Sequence, residues 1–112
     1  MRELDVYQDS ASEFATYPNR GDGSWESMLY PIAGLASEVG EVCDLVKKAY
    51  RSDEGGADPE RIRLELGDVL WYVSELASLF GLSMSDVANG NLDKLDARRE
   101  NGTIKNHTHV EG

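Results

Sequence analysis

Two pairs of carboxylate residues in the sequence have the spacing of a helical metal site. Glu38 and Glu41 form one pair, and Glu65 and Asp68 form the other. Residues three positions apart on a helix differ by about 60° in azimuth, so each pair lies on one face of its helix. Two such helices packed together can surround one small space with four carboxylates. The pattern predicts a divalent metal site, and oxygen ligands without a nearby His or Cys favour Mg²⁺ or Mn²⁺ over zinc.

Acid pairs of this spacing are expected by chance in a chain with 21 Asp and Glu residues among 112, and two further pairs occur, at 41/44 and 93/96. In those pairs Asp44, Asp93 and Asp96 point away from the apolar stripe of their helix, which is typical of solvated carboxylates. The two motif pairs lie instead at the edge of predicted buried faces. Carboxylates drawn together there repel each other, and their pKa values rise unless a cation neutralises them. Two solvated helix edges remain the alternative interpretation.

A second cluster has side chains suited to binding phosphate. Asn91, Lys94 and Arg98 are spaced by three and four residues and so share one polar stripe of a predicted helix. Arg binds phosphate oxygens as a fork and Lys binds them as a point charge. A solvated helix face is the alternative for this stripe alone. Because Mg²⁺ and basic residues commonly clamp phosphates together, the two clusters jointly favour a phosphorylated substrate.

Four amphipathic helices are predicted to position these residues. The first covers about 3–16, and a Gly-rich loop with Tyr17 and Trp25 follows it. The second is predicted to start at Pro31, which suits a first helical turn. The apolar stripe of the first helix consists of Leu4, Tyr7, Ala11 and Phe14. That of the second consists of Ile32, Leu35, Val39, Val42, Val46 and Ala49.

The third and fourth helices have clear start and stop signals. Asp58 is predicted to be the N-cap of the third helix, with Pro59 in its first turn and Gly81 as its stop. Ser83 and Asp86 resemble a capping box that opens the fourth helix, which runs to about Glu100. The apolar stripe of the third helix consists of Ile62, Leu66, Val69, Val73, Leu76 and Phe80. That of the fourth consists of Met84, Ala88, Leu92 and Leu95.

The third helix is apolar on almost all sides, because Leu64, Leu70, Trp71 and Leu79 lie outside its stripe. A monomer of four helices can hardly bury such a helix, so a dimer or higher oligomer is predicted.

Composition narrows the class of protein further. A chain of 112 residues is sized for one domain. Its net charge of −10 argues against nucleic-acid binding, which needs clustered Lys and Arg. The sequence has no segment apolar enough for a membrane span or an export signal. Cys43 is the single cysteine and is expected to act as a small apolar side chain. A cytoplasmic protein is therefore expected.

Three ordered motifs resemble the all-α MazG-like nucleotide pyrophosphohydrolases of the single-domain, phage-type branch. The first is Gly-Leu-Ala-Ser-Glu-Val-Gly-Glu-Val at 34–42, and the second is Glu-Leu-Gly-Asp-Val-Leu-Trp-Tyr at 65–72. The third is the stripe of Asn91, Lys94 and Arg98. The 23 residues between Glu41 and Glu65 fit the family's variable spacer, and the resemblance covers about 30–104.

This resemblance implies a four-helix bundle, assembled as a dimer or dimer of dimers, with residues 1–104 as the domain. It implies Mg²⁺-dependent hydrolysis of nucleoside triphosphates between the α and β phosphates, with Mn²⁺ as a substitute and more than one ion per site. The implied metal ligands are Glu38, Glu41, Glu65 and Asp68, with Glu38 and Glu41 also catalytic. The implied phosphate or sugar contacts are Lys48, Asn91, Lys94 and Arg98.

The expected substrate choice depends on one aromatic side chain and on analogy with relatives. Trp25 can stack on a base, although packing against other side chains is an equal alternative for it. A purine deoxynucleotide such as dGTP or dATP is favoured by analogy with relatives. The tail at 105–112, with His107 and His109, departs from the Gly-rich tail of the phage-type branch and is expected to be flexible. The competing hypothesis for the whole chain is a catalytically inactive helical interaction module.

Overall fold

A computed structural model describes residues 2–52 and 55–102 and places four α-helices in them. They are α1 (Arg2–Ser12), α2 (Glu26–Ser52), α3 (Pro59–Leu79) and α4 (Met84–Glu100). These described residues contain no strand, which confirms the predicted all-α class. Among the described helices, none is both long enough and apolar enough to cross a lipid bilayer. The tail at 105–112, with its two histidines, lies outside the described residues.

Local capping chemistry fixes both ends of α3 and the start of α4. The Asp58 side chain accepts a hydrogen bond from the Glu60 amide at 3.0 Å, and the Ser83 hydroxyl accepts one from the Asp86 amide at 3.0 Å. Gly81 takes a φ of 71° just after α3, and the Leu82 amide donates back to the Ala77 carbonyl at 2.8 Å. The predicted N-caps and the predicted stop are therefore confirmed.

The boundaries of the first two helices differ from the prediction. α1 ends at Ser12, so Phe14 lies beyond it and is 75% exposed. α2 begins at Glu26, so Pro31 lies inside the helix and is fully buried. The earlier start has a local cause, because the Ser24 hydroxyl accepts a hydrogen bond from the Ser27 amide at 3.3 Å and caps the helix ahead of the proline.

α3 is the central helix, with α2 packed on one side and α1 on another, while α4 packs on α1 and on the end of α3. α2 runs antiparallel to α3: Ser27 lies near Ser78, and Lys48 lies near Arg61. In the described part of the chain, no Cα atom of α2 lies within 8 Å of a Cα atom of α4. One chain therefore forms an open arrangement of helices.

Buried polar groups join α1 to the turn between α3 and α4. The Gln8 amide donates to the Ser78 hydroxyl and the Leu82 carbonyl, both at 2.9 Å, and accepts from the Met84 amide at 2.9 Å. Asp5 accepts from the Ser85 amide at 2.9 Å. These contacts satisfy first-turn amides of α4, which would otherwise have no partner.

The hydrophobic core of the described chain is small. Its buried apolar side chains are Ala11, Ala49, Ala77 and Met84, together with the fully buried Pro31. The predicted stripe of α2 proves to be two stripes, because Leu35, Val42 and Ala49 are half-buried or buried while Ile32, Val39 and Val46 are about half exposed. The stripe of α3 is likewise split, since Leu66 is 51% and Phe80 60% exposed.

Trp71 is covered within its own chain. Its indole N–H donates to the Ala11 carbonyl at 3.0 Å, which ties α3 to the end of α1. This contact, rather than a second subunit, accounts for the half-buried position of Trp71. Leu64 remains 56% exposed.

Candidate metal centre

Three of the four predicted acidic ligands converge between α2 and α3. One carboxylate oxygen from each of Glu38, Glu65 and Asp68 lies within 4.8 Å of the others. Glu65 and Asp68 are adjacent because they are one turn apart on α3. Glu38 reaches them from α2 because α2 packs against α3. Glu38 and Glu65 are half-buried and Asp68 is exposed, so the cluster opens to solvent on one side.

The electrostatics of this cluster are unfavourable without a cation. Burial raises the pKa of Glu38 above its ordinary value, and the neighbouring charges of Asp68, Glu65 and Glu41 raise it further. A divalent cation would offset this repulsion, and three carboxylates without His or Cys form the hard-oxygen set that Mg²⁺ and Mn²⁺ prefer. The donor set therefore fits the predicted metal.

Glu41 lies beside this cluster rather than within the group of three. It lines a cavity of about 220 Å³ between the second half of α2 and the start of α3, which Glu65 also lines. Lys48 and Arg61 lie in the same cavity, and Lys48 pairs with Asp44 at 2.8 Å. Cations beside the acidic cluster are suited to binding an anionic ligand that bridges the two.

Arg61 was missed by the sequence interpretation. It precedes Glu65 by four residues and therefore lies on the same stripe of α3 as the metal motif. This spacing could have identified Arg61 as a site residue from the sequence.

A group of tyrosines packs beside the carboxylates. The Tyr72 ring fills the space next to Gly34, where a Cβ atom would overlap it. A hydrogen bond with Tyr30 raises the pKa of Tyr72 to about 12, with further contributions from burial and from the charges of Glu38 and Asp68. Burial and the charge of Asp68 also raise the pKa of Tyr7. These phenols stay protonated near neutral pH and can donate hydrogen bonds close to the cluster.

The segment between α1 and α2 is fixed to α3 by a buried carboxylate. Glu75 is 2% exposed and accepts hydrogen bonds from Arg20 at 2.6 and 3.2 Å and from the Tyr17 hydroxyl. Tyr17 stacks on Tyr30 with ring centroids 4.9 Å apart, and Tyr30 in turn lies 6.1 Å from Tyr72. The loop is therefore connected to the edge of the acidic cluster.

The remaining predicted contacts are not brought to the cluster within one chain. Asn91, Lys94 and Arg98 are exposed on α4, whose backbone does not approach that of α2 closely in the described residues. Trp25 is 81% exposed at the start of α2. Tyr17, the other aromatic residue of the loop, already has its ring stacked and its hydroxyl bonded.

Comparison with known proteins gives one family and one relative. Residues 26–103 match the model of the MazG nucleotide pyrophosphohydrolase domain. The chain is also similar to the Gene 37 protein of Mycobacterium phage L5, with 41% identity over 106 residues that cover 91% of this chain and 93% of that protein. No solved structure matches the chain significantly.

Proposed function

Because the chain belongs to the MazG nucleotide pyrophosphohydrolase domain family, we propose that it hydrolyses nucleoside or deoxynucleoside triphosphates to monophosphates and pyrophosphate. The observation that carries this proposal is the convergence of Glu38, Glu65 and Asp68 at one point between two helices. A role in controlling the nucleotide pool follows from such a reaction, with dGTP or dATP as the favoured substrates.

In this proposal Glu38, Glu65 and Asp68 hold a divalent cation, Mg²⁺ or Mn²⁺, and Glu41 assists from the adjacent cavity. When bound, the metal would polarise the phosphate oxygens and offset the charge that develops on the leaving pyrophosphate. The cavity beside Glu41 has room for a second ion or for phosphate oxygens.

The chain's own residues perform the remaining steps. Lys48 and Arg61 bind phosphate oxygens at the cavity, while Asn91, Lys94 and Arg98 remain predicted contacts that need further approach of α4. A carboxylate of α2, either Glu38 or Glu41, orients a water molecule and accepts its proton. The water oxygen bonds to the α phosphorus as the bond to the bridging oxygen breaks, and pyrophosphate leaves with that electron pair.

We propose a homodimer or homotetramer as the working assembly. The support is that the described chain has a small core and leaves fifteen large hydrophobic side chains 40 to 89% exposed. Apolar surface on this scale marks an interaction site in a folded protein.

The test is a hydrolysis assay with Mg²⁺ against the eight common NTPs and dNTPs, with pyrophosphate and monophosphate both quantified. Turnover of at least one substrate with equal yields of the two products is expected, and EDTA should abolish it. Absence of turnover with all eight would favour the inactive interaction module. Release of orthophosphate from the γ position would contradict cleavage at the α phosphate.

A further inference from the structure

Glu75 is a buried charged residue to which the proposed reaction assigns no role. Its side chain is 2% exposed. It shares one side of α3 with three residues of the metal centre or beside it, since intervals of three and four residues return to the same side of a helix. These residues are Glu65, Asp68 and Tyr72. Glu75 lies two turns, or roughly 10 Å, beyond Asp68 along the helix axis. Any effect of Glu75 on the metal centre must therefore pass through other side chains.

The hydrogen bonds of Glu75 in the described residues run to the segment between α1 and α2. Its carboxylate accepts two from Arg20, at 2.6 and 3.2 Å, and one from the Tyr17 hydroxyl. A buried ion pair adds little net stability compared with apolar side chains of the same volume. It does hold its partners in a defined direction, because hydrogen bonds to a charged oxygen are short and strong. Glu75 therefore fixes the position of the Tyr17 ring.

The Tyr17 ring extends this contact towards the metal centre. It stacks on Tyr30, with ring centroids 4.9 Å apart and planes inclined by 14°. The Tyr30 ring lies 6.1 Å from that of Tyr72, and the two side chains share a hydrogen bond. Aromatic pairs at these distances attract each other beyond the effect of buried area alone. Tyr17, Tyr30 and Tyr72 thus form a connected tyrosine row.

The last ring of the tyrosine row packs between α2 and α3 beside the metal centre. Tyr72 lies one turn beyond Asp68 on α3, and its ring lies against Gly34, where a Cβ atom would overlap it. Gly34 is one turn before Glu38 on α2. Because closely packed groups transmit displacements to their neighbours, the position of the Tyr72 ring affects how far the Glu38 carboxylate lies from those of α3.

We propose that Glu75 is a positioning residue for the metal centre and acts on it through the tyrosine row. Loss of Glu75 would free the Tyr17 ring, and the row would no longer fix the spacing at which Glu38 meets the carboxylates of α3. The inference rests on the proposed function for the identity of the site as a metal centre. It concerns metal affinity and not the hydrolysed nucleotide, so a failure of the nucleotide assay alone does not contradict it.

The test compares two buried polar side chains that make three hydrogen bonds each. Glu75 makes its bonds to the segment before α2, and Gln8 makes its bonds at the junction of α1 with the turn before α4. Glu75→Ala and Gln8→Ala therefore remove equal numbers of hydrogen bonds, but only Glu75 bonds to the tyrosine row. The metal-free chains are titrated with Mn²⁺ in a calorimeter, at a temperature at which circular dichroism shows each of them folded.

Mn²⁺ binding should be at least about 5-fold weaker for Glu75→Ala and less than about 2-fold weaker for Gln8→Ala, because residues that orient metal ligands affect metal affinity whereas general destabilisation of a folded chain does not. Equal affinities of the wild type and Glu75→Ala, or equal losses in the two variants, would overturn the proposal. A wild-type chain that binds no Mn²⁺ would refute the proposed metal centre itself, and this inference with it.

A second pair of substitutions tests the route and covers the case in which Glu75→Ala fails to fold. Tyr17→Phe removes the hydroxyl that bonds to Glu75 and keeps the stacked ring, and it should weaken Mn²⁺ binding at least about 3-fold. In a chain that already carries Tyr30→Leu, which interrupts the tyrosine row, Tyr17→Phe should change the affinity by less than about 1.5-fold. An unchanged affinity for Tyr17→Phe, or the same loss with and without the Tyr30 ring, would overturn the proposal.

Discussion

Removal of the guanidinium that pairs with Glu75 should destabilise the chain more than the loss of any surface ion pair. Glu75 is 2% exposed, and Arg20, whose side chain is 31% exposed, gives it two of its three hydrogen bonds. Breaking a fully buried pair by removing one partner costs about 3 to 5 kcal/mol. The partial exposure of Arg20 reduces this, so we expect Arg20→Ala to lower the free energy of unfolding by about 2 to 3 kcal/mol.

The chain offers a matched control for this substitution. Arg63 pairs with Glu60 one turn away on α3, where the two side chains are 67% and 61% exposed. Exposed pairs contribute about 0 to 1 kcal/mol, so Arg63→Ala should change stability by less than that. Urea unfolding monitored by circular dichroism, with all variants at one protein concentration, measures both effects. In thermal melts, Arg20→Ala should lower Tm by about 8 to 12 °C.

A double-mutant cycle separates the ion pair from other effects of the substitution. Arg20→Ala should cost much less when Glu75 is already replaced by Gln, with a coupling energy of at least about 1 kcal/mol. Equal costs for Arg20→Ala and Arg63→Ala, or a coupling energy near zero, would refute the claim that Glu75 is a buried anchor for the loop.

Three further predictions concern the metal centre and the packing around it. The pKa of Glu38 is raised in the folded chain, so without metal the folded chain should lose stability as the pH rises from about 4.5 through that raised pKa. Thermal melts in EDTA should show this loss, and Glu38→Gln should remove it. Gly34→Ala should lower the free energy of unfolding by about 1 to 3 kcal/mol because the new methyl group overlaps the Tyr72 ring. The control Gly90→Ala, whose methyl group would meet no atom within 4 Å, should raise that free energy by up to about 1 kcal/mol in the same urea titration. Gln8→Ala should lower the free energy of unfolding by about 2 to 3 kcal/mol because it leaves the Met84 amide and the Leu82 carbonyl without their partner. An unchanged unfolding midpoint for this variant would contradict the role given to Gln8.

Local chemistry made much of the fold predictable. Asp58, Gly81 and Ser83 set helix ends through hydrogen bonds within a few residues of themselves, and such bonds can be recognised from sequence. The adjacency of Glu65 and Asp68 is likewise a property of one helix turn. These features need no knowledge of which helices pack together.

Features that depend on packing between distant segments were the ones that sequence could not supply. The burial of Gln8 and Glu75 was missed because apolar periodicity ignores polar residues, and their partners lie 55 to 76 positions away along the chain. The predicted stripe of α2 combined an inward stripe that contains Leu35 with an outward one that contains Ile32 and Val39. Three-and-four spacing alone does not say how many faces of a helix have partners. The separation of α4 from α2 is also a tertiary property, and no sequence spacing encodes it.

The central claim is that Glu38, Glu65 and Asp68 share one divalent cation, and calorimetric titration of the metal-free chain with Mn²⁺ tests it most directly. We expect saturable binding to the wild-type chain and at least about 10-fold weaker binding to Asp68→Asn, since a ligand charge is lost with little change in volume. Asp93→Asn, which removes an exposed carboxylate from α4, should bind as the wild type does. Equal affinities for all three chains would contradict the account.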